Sequence, residues 1–259
     1  MSLLNQSGDL IAGWGTNAAI RTAIQAERDS ARLGAFVSMS GGWSRYDTGC
    51  HADLSSISLM VGVSRRVELE LGNLAFGAFF EYGNGSYDTY AAVHGDGDLY
   101  HLGGGLIGHM DFTKTGSGHF YTEASVRAGG VENDYRHSGL YDSWGREATY
   151  DASSAYYGIH LGVGYLWRMT DKAGLDLYGK YFWTRQEGDA VRLSAGEPVD
   201  FDSLNSHRLS MGTRFNYAVL ERLSPYVGVA YDHEAWPTTM SLRAIHPLRS
   251  GAIKWASLT

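Results

Sequence analysis

The residues best able to do chemistry in this chain do not fall at the spacings chemistry would require. Gly103, Gly105 and Gly108 satisfy G-x-G-x-x-G, the pattern whose main-chain N–H groups cradle a dinucleotide pyrophosphate. That chemistry needs a helix opening at the last glycine, and here an alternating strand pattern simply continues to Phe112. Glycines in such a strand admit a closely packed neighbour or relieve curvature. The ten histidines, among them His51, His94, His101 and His109, show neither H-E-x-x-H nor i, i+4 spacing, and His233 beside Glu234 is a lone pair, so no metal site is expected. Cys50 is the only cysteine and cannot make an internal disulfide. No G-x-S-x-G elbow occurs, and carboxylates on separate strands give no acid/base pair by spacing. Neither a cofactor nor a small-molecule substrate is expected.

The strands that must carry these residues say more. Between Tyr157 and Trp167 the odd positions are Tyr157, Ile159, Leu161, Val163, Tyr165 and Trp167, while the even ones include Gly158, His160, Gly162 and Gly164. The same two-faced pattern recurs along the chain. Ile57, Leu59, Val61 and Val63 oppose Ser56, Ser58, Gly62 and Ser64. Leu74, Phe76, Phe80 and Tyr82 oppose Gly77, Glu81 and Gly83, with Phe79 as an exception. Leu102, Leu106 and Met110 oppose Gly103, Gly105, His109 and Asp111, and Phe120, Ala124, Val126 and Ala128 oppose Glu123, Ser125 and Arg127. Leu175, Leu177, Tyr181 and Trp183 oppose Asp176, Tyr178, Lys180 and Thr184. Leu209, Met211, Phe215 and Tyr217 oppose Arg208, Ser210, Arg214 and Asn216, and Val227, Val229 and Tyr231 oppose Gly228, Ala230 and Asp232.

A soluble sheet with this profile hides its greasy face under a second sheet or a helix, but nearly every strand repeats the profile and no segment is left to cover them. Lipid is the expected cover. The chain is therefore read as all-β, a transmembrane antiparallel up-and-down β-barrel. Glu81, Glu123, Arg127, Asp176, Lys180, Arg208 and Arg214 are expected to face its lumen, because a cation at the lipid midplane costs about 2 to 4 kcal/mol. By the same reading Leu161 should not accept a charge, whereas a small polar group at Gly162 should be tolerated.

Composition points the same way. The chain of 259 residues has 34 Gly, 17 Tyr and 7 Trp but only 4 Pro, and no apolar run approaches the roughly 18 residues of a transmembrane helix. Trp43, Tyr46, Tyr90, Trp167, Trp183 and Tyr226 lie near strand ends, where amphipathic rings favour the headgroup layer. A net charge of −7 argues against nucleic acid as a partner. Connections near Val67 to Gly72, Lys114 to Gly118, Thr170 to Ala173 and Leu220 to Leu223 are short. Those near Tyr90 to Gly97, Arg136 to Thr149 and Gly188 to Ser203 are longer and more charged, although Asp47 to His51 is brief. Outer-membrane barrels have short periplasmic turns and longer outside loops, so the first strand, beginning near Gly34, is expected to run outward.

One helical stretch, Thr16 to Leu33, precedes that strand. It has Thr16 or Asn17 as N-cap and places Arg21, Gln25, Arg28 and Arg32 on one face. An exposed, solvated helix would show this pattern, but a segment polar on most sides suits a polar lumen better, so Arg21, Gln25, Arg28 and Arg32 are expected on a helix inside the barrel whose basic face meets carboxylates such as Glu123, Asp176 and Glu81.

The runs LGAFVSMSGGWSRYDTG, GAFFEYGNGSYDTY, GDGDLYHLGGGLIGHMDF, YYGIHLGVGYLW, LDLYGKYFWTRQEGDAV and SPYVGVAYDHE closely resemble the C-terminal translocator domain of autotransporters, the type V secretion systems of Gram-negative bacteria. The resemblance covers about Asn5 to Glu234. It implies a twelve-stranded outer-membrane barrel threaded by a helix that joins it to an upstream secreted passenger. It further implies outer-membrane lipid, the barrel-assembly machinery and, in an intact homologue, the passenger as partners.

The sequence departs from that pattern at its ends. Met1 to Gly15 shows no basic n-region or apolar h-region, so no secretory signal is expected there, and no passenger precedes the helix. About nine strands are recognisable by Tyr231, an odd number that cannot close antiparallel. Beyond Glu234 the alternation and the resemblance fade, Pro237 and Pro247 argue against a tenth strand at Thr238 to Ile245, and Thr259 is not the aromatic residue on which the family closes. The expectation is a truncated or frameshifted fragment, divided into a linker and plug helix over 1–33, a barrel over 34–236 and a divergent tail over 237–259. The implied function is an outer-membrane anchor and pore for passenger export, without enzymatic chemistry. Two other readings predict different features. A soluble lipocalin-like barrel would have a greasy interior and polar exterior, and an outer-membrane barrel enzyme would show a Ser/His/Asp cluster near one strand end.

Overall fold

The computed structural model describes residues 1–47, 51–90, 94–113, 116–141, 147–192, 198–218, 225–235 and 238–245. Cys50 and the connection at Leu220 to Leu223 lie outside these. The strands are β1 (Gly34–Asp47), β2 (His51–Leu69), β3 (Gly72–Tyr90), β4 (His94–Phe112), β5 (Gly118–Tyr141), β6 (Glu147–Arg168) and β7 (Ala173–Gln186). They continue as β8 (Asp189–Arg192), β9 (Pro198–Phe201), β10 (Leu204–Tyr217), β11 (Tyr226–Ala235) and β12 (Thr238–Ile245). A curled antiparallel sheet runs β1-β2-β3-β4-β5-β6-β7-β10-β11-β12, so each strand pairs with its predecessor except where β8 and β9 form a separate ribbon. The nine strands read from the sequence are all in this sheet. A tenth, β12, pairs with β11 from Ala235↔Thr238 to Gly228↔Ile245 despite the flanking prolines. Pro237 precedes the ladder and Pro247 follows it, so neither removes a donor from it.

The alternation decides sidedness as expected. Val61, Phe80, Leu102, Leu106, Phe120, Val126, Leu161, Val163, Leu177, Met211 and Val229 are all exposed, while their sequence neighbours Met60, Glu81, His101, Ile107, Arg127 and His160 are buried on the opposite face. A row of exposed aliphatic and aromatic side chains this long is a membrane-facing surface. Tyr226 departs from the expected aromatic girdle. It lies on the inner face, its ring 6.0 Å from that of Trp14, because Val227 and Val229 take the outward positions. Among the described residues no helix is long and apolar enough to cross a membrane.

At one end the strands turn tightly. Gly72 takes φ +143°, and a Cβ there would lie 2.0 Å from the Asp111 carbonyl oxygen, so only glycine fits this turn. At the other end, segments expected as loops are mostly strand, since β3 runs to Tyr90 and β5 to Tyr141. Tyr87 donates to Asn133 at 2.9 Å and stacks on Tyr135, whose ring also meets Tyr150, and these cross-strand contacts extend the ladder. The Gly188 to Ser203 connection contains the β8–β9 ribbon.

A helical rod runs from Ser2 to Arg28: α1 (Ser2–Leu10), one π turn (Ile11–Gly15) and α2 (Thr16–Arg28). The N-cap expected at Thr16 is thereby corrected. Its hydroxyl donates backwards to the Ile11 carbonyl at 2.8 Å, five residues earlier, across the π turn. Gly8, Gly13 and Gly15 each cost about 1 kcal/mol of helix propensity, which conceals the first half in the sequence. Packing restores it. Leu10, Ile11 and Ala19 sit on Phe36, Met60, Phe79 and Ile107, so the one residue that broke the alternation of β3 helps to build the apolar seat for the helix.

Inner and outer glycines differ in what surrounds them. A Cβ at Gly162 would lie 2.6 Å from Glu123 Cγ, whereas Gly179 and Gly108, on the greasy face, have nothing within 4 Å. Polarity alone suggested that Gly162 would tolerate a small group; the crowded space over it reverses that expectation. In urea unfolding from lipid vesicles, Leu161→Arg should cost about 2 to 4 kcal/mol, Gly162→Ser about 1 to 3 kcal/mol through overpacking, and Gly179→Ala close to nothing. Equal tolerance at Gly162 and Gly179 would refute the assignment of faces.

Candidate functional site

The helix meets the wall at three polar layers, each built on strand register. In the first, Glu81, Gly103, Gly129 and Tyr156 occupy one cross-strand row from β3 to β6. The two glycines vacate that row. A Cβ on Gly103 would lie 2.1 Å from the Tyr156 hydroxyl, which instead reaches Glu81 Oε1 at 2.9 Å. Glu81 Oε2 accepts from Arg127 Nη1 at 3.0 Å and from the Ser7 hydroxyl of the helix. Arg127 Nη2 donates to the Leu4 carbonyl at 2.7 Å, and Gly158 leaves room for its stem, since a Cβ there would lie 2.6 Å from Nε. His101, fully buried, places its ring edge-on to Tyr156 with Nε2 3.6 Å from Glu81, too far for a hydrogen bond.

The second layer is the row His109, Glu123, Gly162 and Lys180. Lys180 Nζ lies 2.6 Å from Glu123 Oε1 and also donates to the Ala12 carbonyl in the π turn. His160, stacked on Phe182, is 3.3 Å from the same carboxylate oxygen. Asp111 meets His109 at 3.1 Å and His119 at 3.2 Å, and Tyr121 donates to Asp176 at 2.9 Å. In the third layer Arg208 grips Asp9 of the helix with both terminal nitrogens, at 2.6 and 3.0 Å, while lying 4.4 Å over the Phe182 ring. Arg214 lies over Tyr178 and over Tyr226, the ring that meets Trp14.

Glu81, Glu123, Arg127, Asp176, Lys180, Arg208 and Arg214 are thus brought to the face that carries the helix. Arg21, Gln25 and Arg28 of the helix, and Arg32 beyond it, are all exposed. The pairing of that basic stripe with Glu81 and Glu123 is corrected: both carboxylates take their cations from the wall. The helix turns its small and apolar stripe to the sheet, because only residues such as Gly8, Gly15, Ala19 and Ala23 allow the backbone so close. Helix residues bond the wall in both halves: Thr22 meets Ser64 and Glu27 meets Arg66 in α2, whereas Ser7 and Asp9, together with Gln6 to Ser56 and Asn5 to Glu234, lie in the stretch whose glycines mask it. An i, i+3/i+4 count begun at Leu3 rather than Thr16 would have found them.

Buried carboxylates already committed to guanidinium or ammonium partners are poor general bases, and among the described residues no cluster of three or more His, Cys, Asp or Glu could hold a metal ion. An outward greasy face, an inward polar face and a helix lying across the latter define the wall and plug of a membrane translocator barrel. The model of the autotransporter beta-domain matches residues 35–243, most of the chain. The chain belongs to the autotransporter beta-domain family.

In fold it is similar to the beta domain of the Bordetella autotransporter BrkA, with TM-score 0.65, 17% identity and 82% of this chain covering 83% of that one. The transport unit of the autotransporter AIDA-I from Escherichia coli gives 0.59 at 15% identity, covering 82% and 72%. The translocator domain of the autotransporter NalP from Neisseria meningitidis gives 0.60 at 11%, covering 92% and 81%. Among curated proteins none matches in sequence. A lipocalin-like barrel is not what the chain resembles, since its greasy residues point outward.

The layers differ in depth, which predicts different costs. Arg127→Met strands Glu81 in a site with no measurable exposure and should cost about 3 to 5 kcal/mol. Arg208→Met leaves Asp9 with 29% of its side chain exposed, so water compensates and about 1 kcal/mol is expected. Urea midpoints in lipid vesicles measure both. A larger loss at Arg208 would mean that the Glu81 layer is not the anchor of the wall.

Proposed function

We propose that this chain is an outer-membrane translocator barrel wall that anchors an N-terminal passenger and provides its route to the cell surface. The observation that carries the reading is the helix on the polar, concave face of a sheet whose other face is continuously apolar. A helix joined directly to β1 is a tether on which anything fused ahead of it is drawn to the barrel's interior. Membership of the autotransporter beta-domain family supports the same role, and intact members pair such a domain with a passenger. Autotransporter barrels are outer-membrane proteins, and we place this domain there, with outer-membrane lipid against Leu102, Leu161 and their neighbours and the barrel-assembly machinery as its route of insertion. The two-residue turn before Gly72 and the Thr170 to Ala173 turn then face the periplasm, and β1 runs outward.

In this reading the domain performs no bond-making chemistry and needs no cofactor. The lumen residues are Glu81, Glu123, Arg127, Asp176, Lys180, Arg208 and Arg214. Arg21, Gln25, Arg28 and Arg32 lie on the side of the helix turned away from the described wall, where the remaining circumference of a closed barrel would meet them.

The test is a fusion of the full chain, behind a secretory signal and a small reporter domain, in a Gram-negative host. The reporter is expected to become accessible to protease added outside intact cells, with the barrel in the outer-membrane fraction. A reporter confined to the periplasm while the chain sits in that fraction would reject the export role. Deleting residues 1–32 from the inserted barrel should raise single-channel conductance in a planar bilayer several-fold, because the helix then no longer fills the lumen. Unchanged conductance would place the helix outside the conducting path.

A further inference from the structure

Among the described residues, three donors of the wall reach past the helix side chains to its main chain. Arg127 donates to the Leu4 carbonyl at 2.7 Å, Lys180 to the Ala12 carbonyl, and the Ser64 hydroxyl to the Ala19 carbonyl at 2.7 Å. They come from β5, β7 and β2. The gripped carbonyls are seven or eight residues apart, about two helical turns.

A helical carbonyl is ordinarily screened by the side chain one turn ahead, because every Cα–Cβ bond tilts toward the N-terminus. Four residues after the three carbonyls stand Gly8, Thr16 and Ala23. Gly8 has no side chain, and a Cβ there would lie 3.3 Å from Arg127 Nη2. Thr16 swings its hydroxyl back to Ile11 in the π turn, beside the carbonyl that Lys180 takes. Ala23, only 1% exposed, is the smallest side chain that still favours helix.

We propose that the wall recognises the plug by its main chain, and that a small residue four positions after each gripped carbonyl is the rule a segment must satisfy to dock there. The Arg stripe and the gripped residues' own side chains are secondary to this recognition. The specificity of the lumen is then for a helix with a particular spacing of small residues, independent of most of its sequence. The consequence for export rests on the translocator reading; the clamp itself does not.

The experiment is amide hydrogen–deuterium exchange of residues 2–28 in the full chain refolded in detergent micelles. By helix propensity alone, Gly8→Ala should slow exchange about five-fold. The clamp predicts the opposite sign: Arg127 is held by Glu81 and cannot retreat, so the added methyl lengthens its bond to Leu4 and exchange over 2–12 speeds up at least three-fold. In an Arg127→Lys background, whose one nitrogen cannot stand both where Nη1 meets Glu81 and where Nη2 meets Leu4, Gly8→Ala should revert to slowing exchange. Arg28→Ala, the control on the basic stripe, should change nothing over 2–12.

Slower or unchanged exchange in Gly8→Ala alone would overturn the proposal, and so would the same response in both backgrounds. If Arg127→Lys does not refold, the sign of the Gly8→Ala effect still decides, since that variant leaves every wall residue intact. Surface display of a reporter is read separately, so a failure of export with exchange as predicted rejects the translocator role and leaves the clamp.

Discussion

One face of each strand of the curled sheet from β1 through β11 is given to exposed apolar side chains, and that constraint organises everything else in the molecule. With alternate side chains given to that apolar face, the remaining positions carry the buried charges and the contacts with the helix, while exposed pairs such as Arg45 with Asp53 and Tyr100 with Glu132 sit on the outer side. The described ion pairs involving Glu81, Glu123, Arg127, Lys180 and Arg208 share the inner face for this reason. An inner face that is only polar would not hold a helix. Phe36, Met60, Phe79 and Ile107 supply the apolar seat, and the polar layers flank it.

Crowding on that face accounts for the glycines. Long side chains lie flat across neighbouring strands instead of standing upright into space that the helix occupies, and each needs an empty position beside it. Tyr156 lies over Gly103 and Gly129, Arg127 over Gly158, Glu123 over Gly162, and His101 over Gly83. The two glycines at the start of the apparent dinucleotide motif are therefore spacers, Gly103 for the Tyr156 hydroxyl and Gly105 for the Phe79 ring, where a Cβ would come within 2.7 Å. Glycine weakens a strand in isolation, but here it permits the cross-strand hydrogen bonds that close the Glu81 layer.

How much of this was legible in the sequence follows from which signals are local. Strand identity and sidedness were readable because a period of two is written in consecutive residues, and the nine strands counted are all present. The helix was only half readable, since Gly8, Gly13 and Gly15 suppress propensity in a segment that tertiary contacts alone make helical. The basic stripe misled because charge is conspicuous, while the docking face consists of small residues that carry no individual signal. Pairs such as Glu81 with Arg127 are 46 positions apart, and register is what brings them together. No spacing rule reveals such a pair. The tenth strand was hidden by prolines that bracket it without entering its ladder.

The distribution of charge between wall and helix bears on how such a plug can be both firm and removable. If Glu81 and Glu123 depended on helix arginines, withdrawing the helix would strand two carboxylates, and a buried pair broken by loss of one partner costs about 3 to 5 kcal/mol. Instead each is paired within the wall, to Arg127 at 3.0 Å and to Lys180 at 2.6 Å. From these two cations the helix takes only the donor capacity left over, at the Leu4 and Ala12 carbonyls, and it adds the Ser7 hydroxyl to Glu81 as one neutral donor. A guanidinium has five donors and an ammonium three, so both can serve a carboxylate and a carbonyl at once, and water can replace the carbonyl when the helix departs. Charge neutrality of the lumen is thereby a property of the sheet, and occupancy by the helix is added to it without being required for it. Arg208 with Asp9 and Arg66 with Glu27 are the exceptions, pairs shared between wall and helix, and both lie where water already reaches the carboxylate.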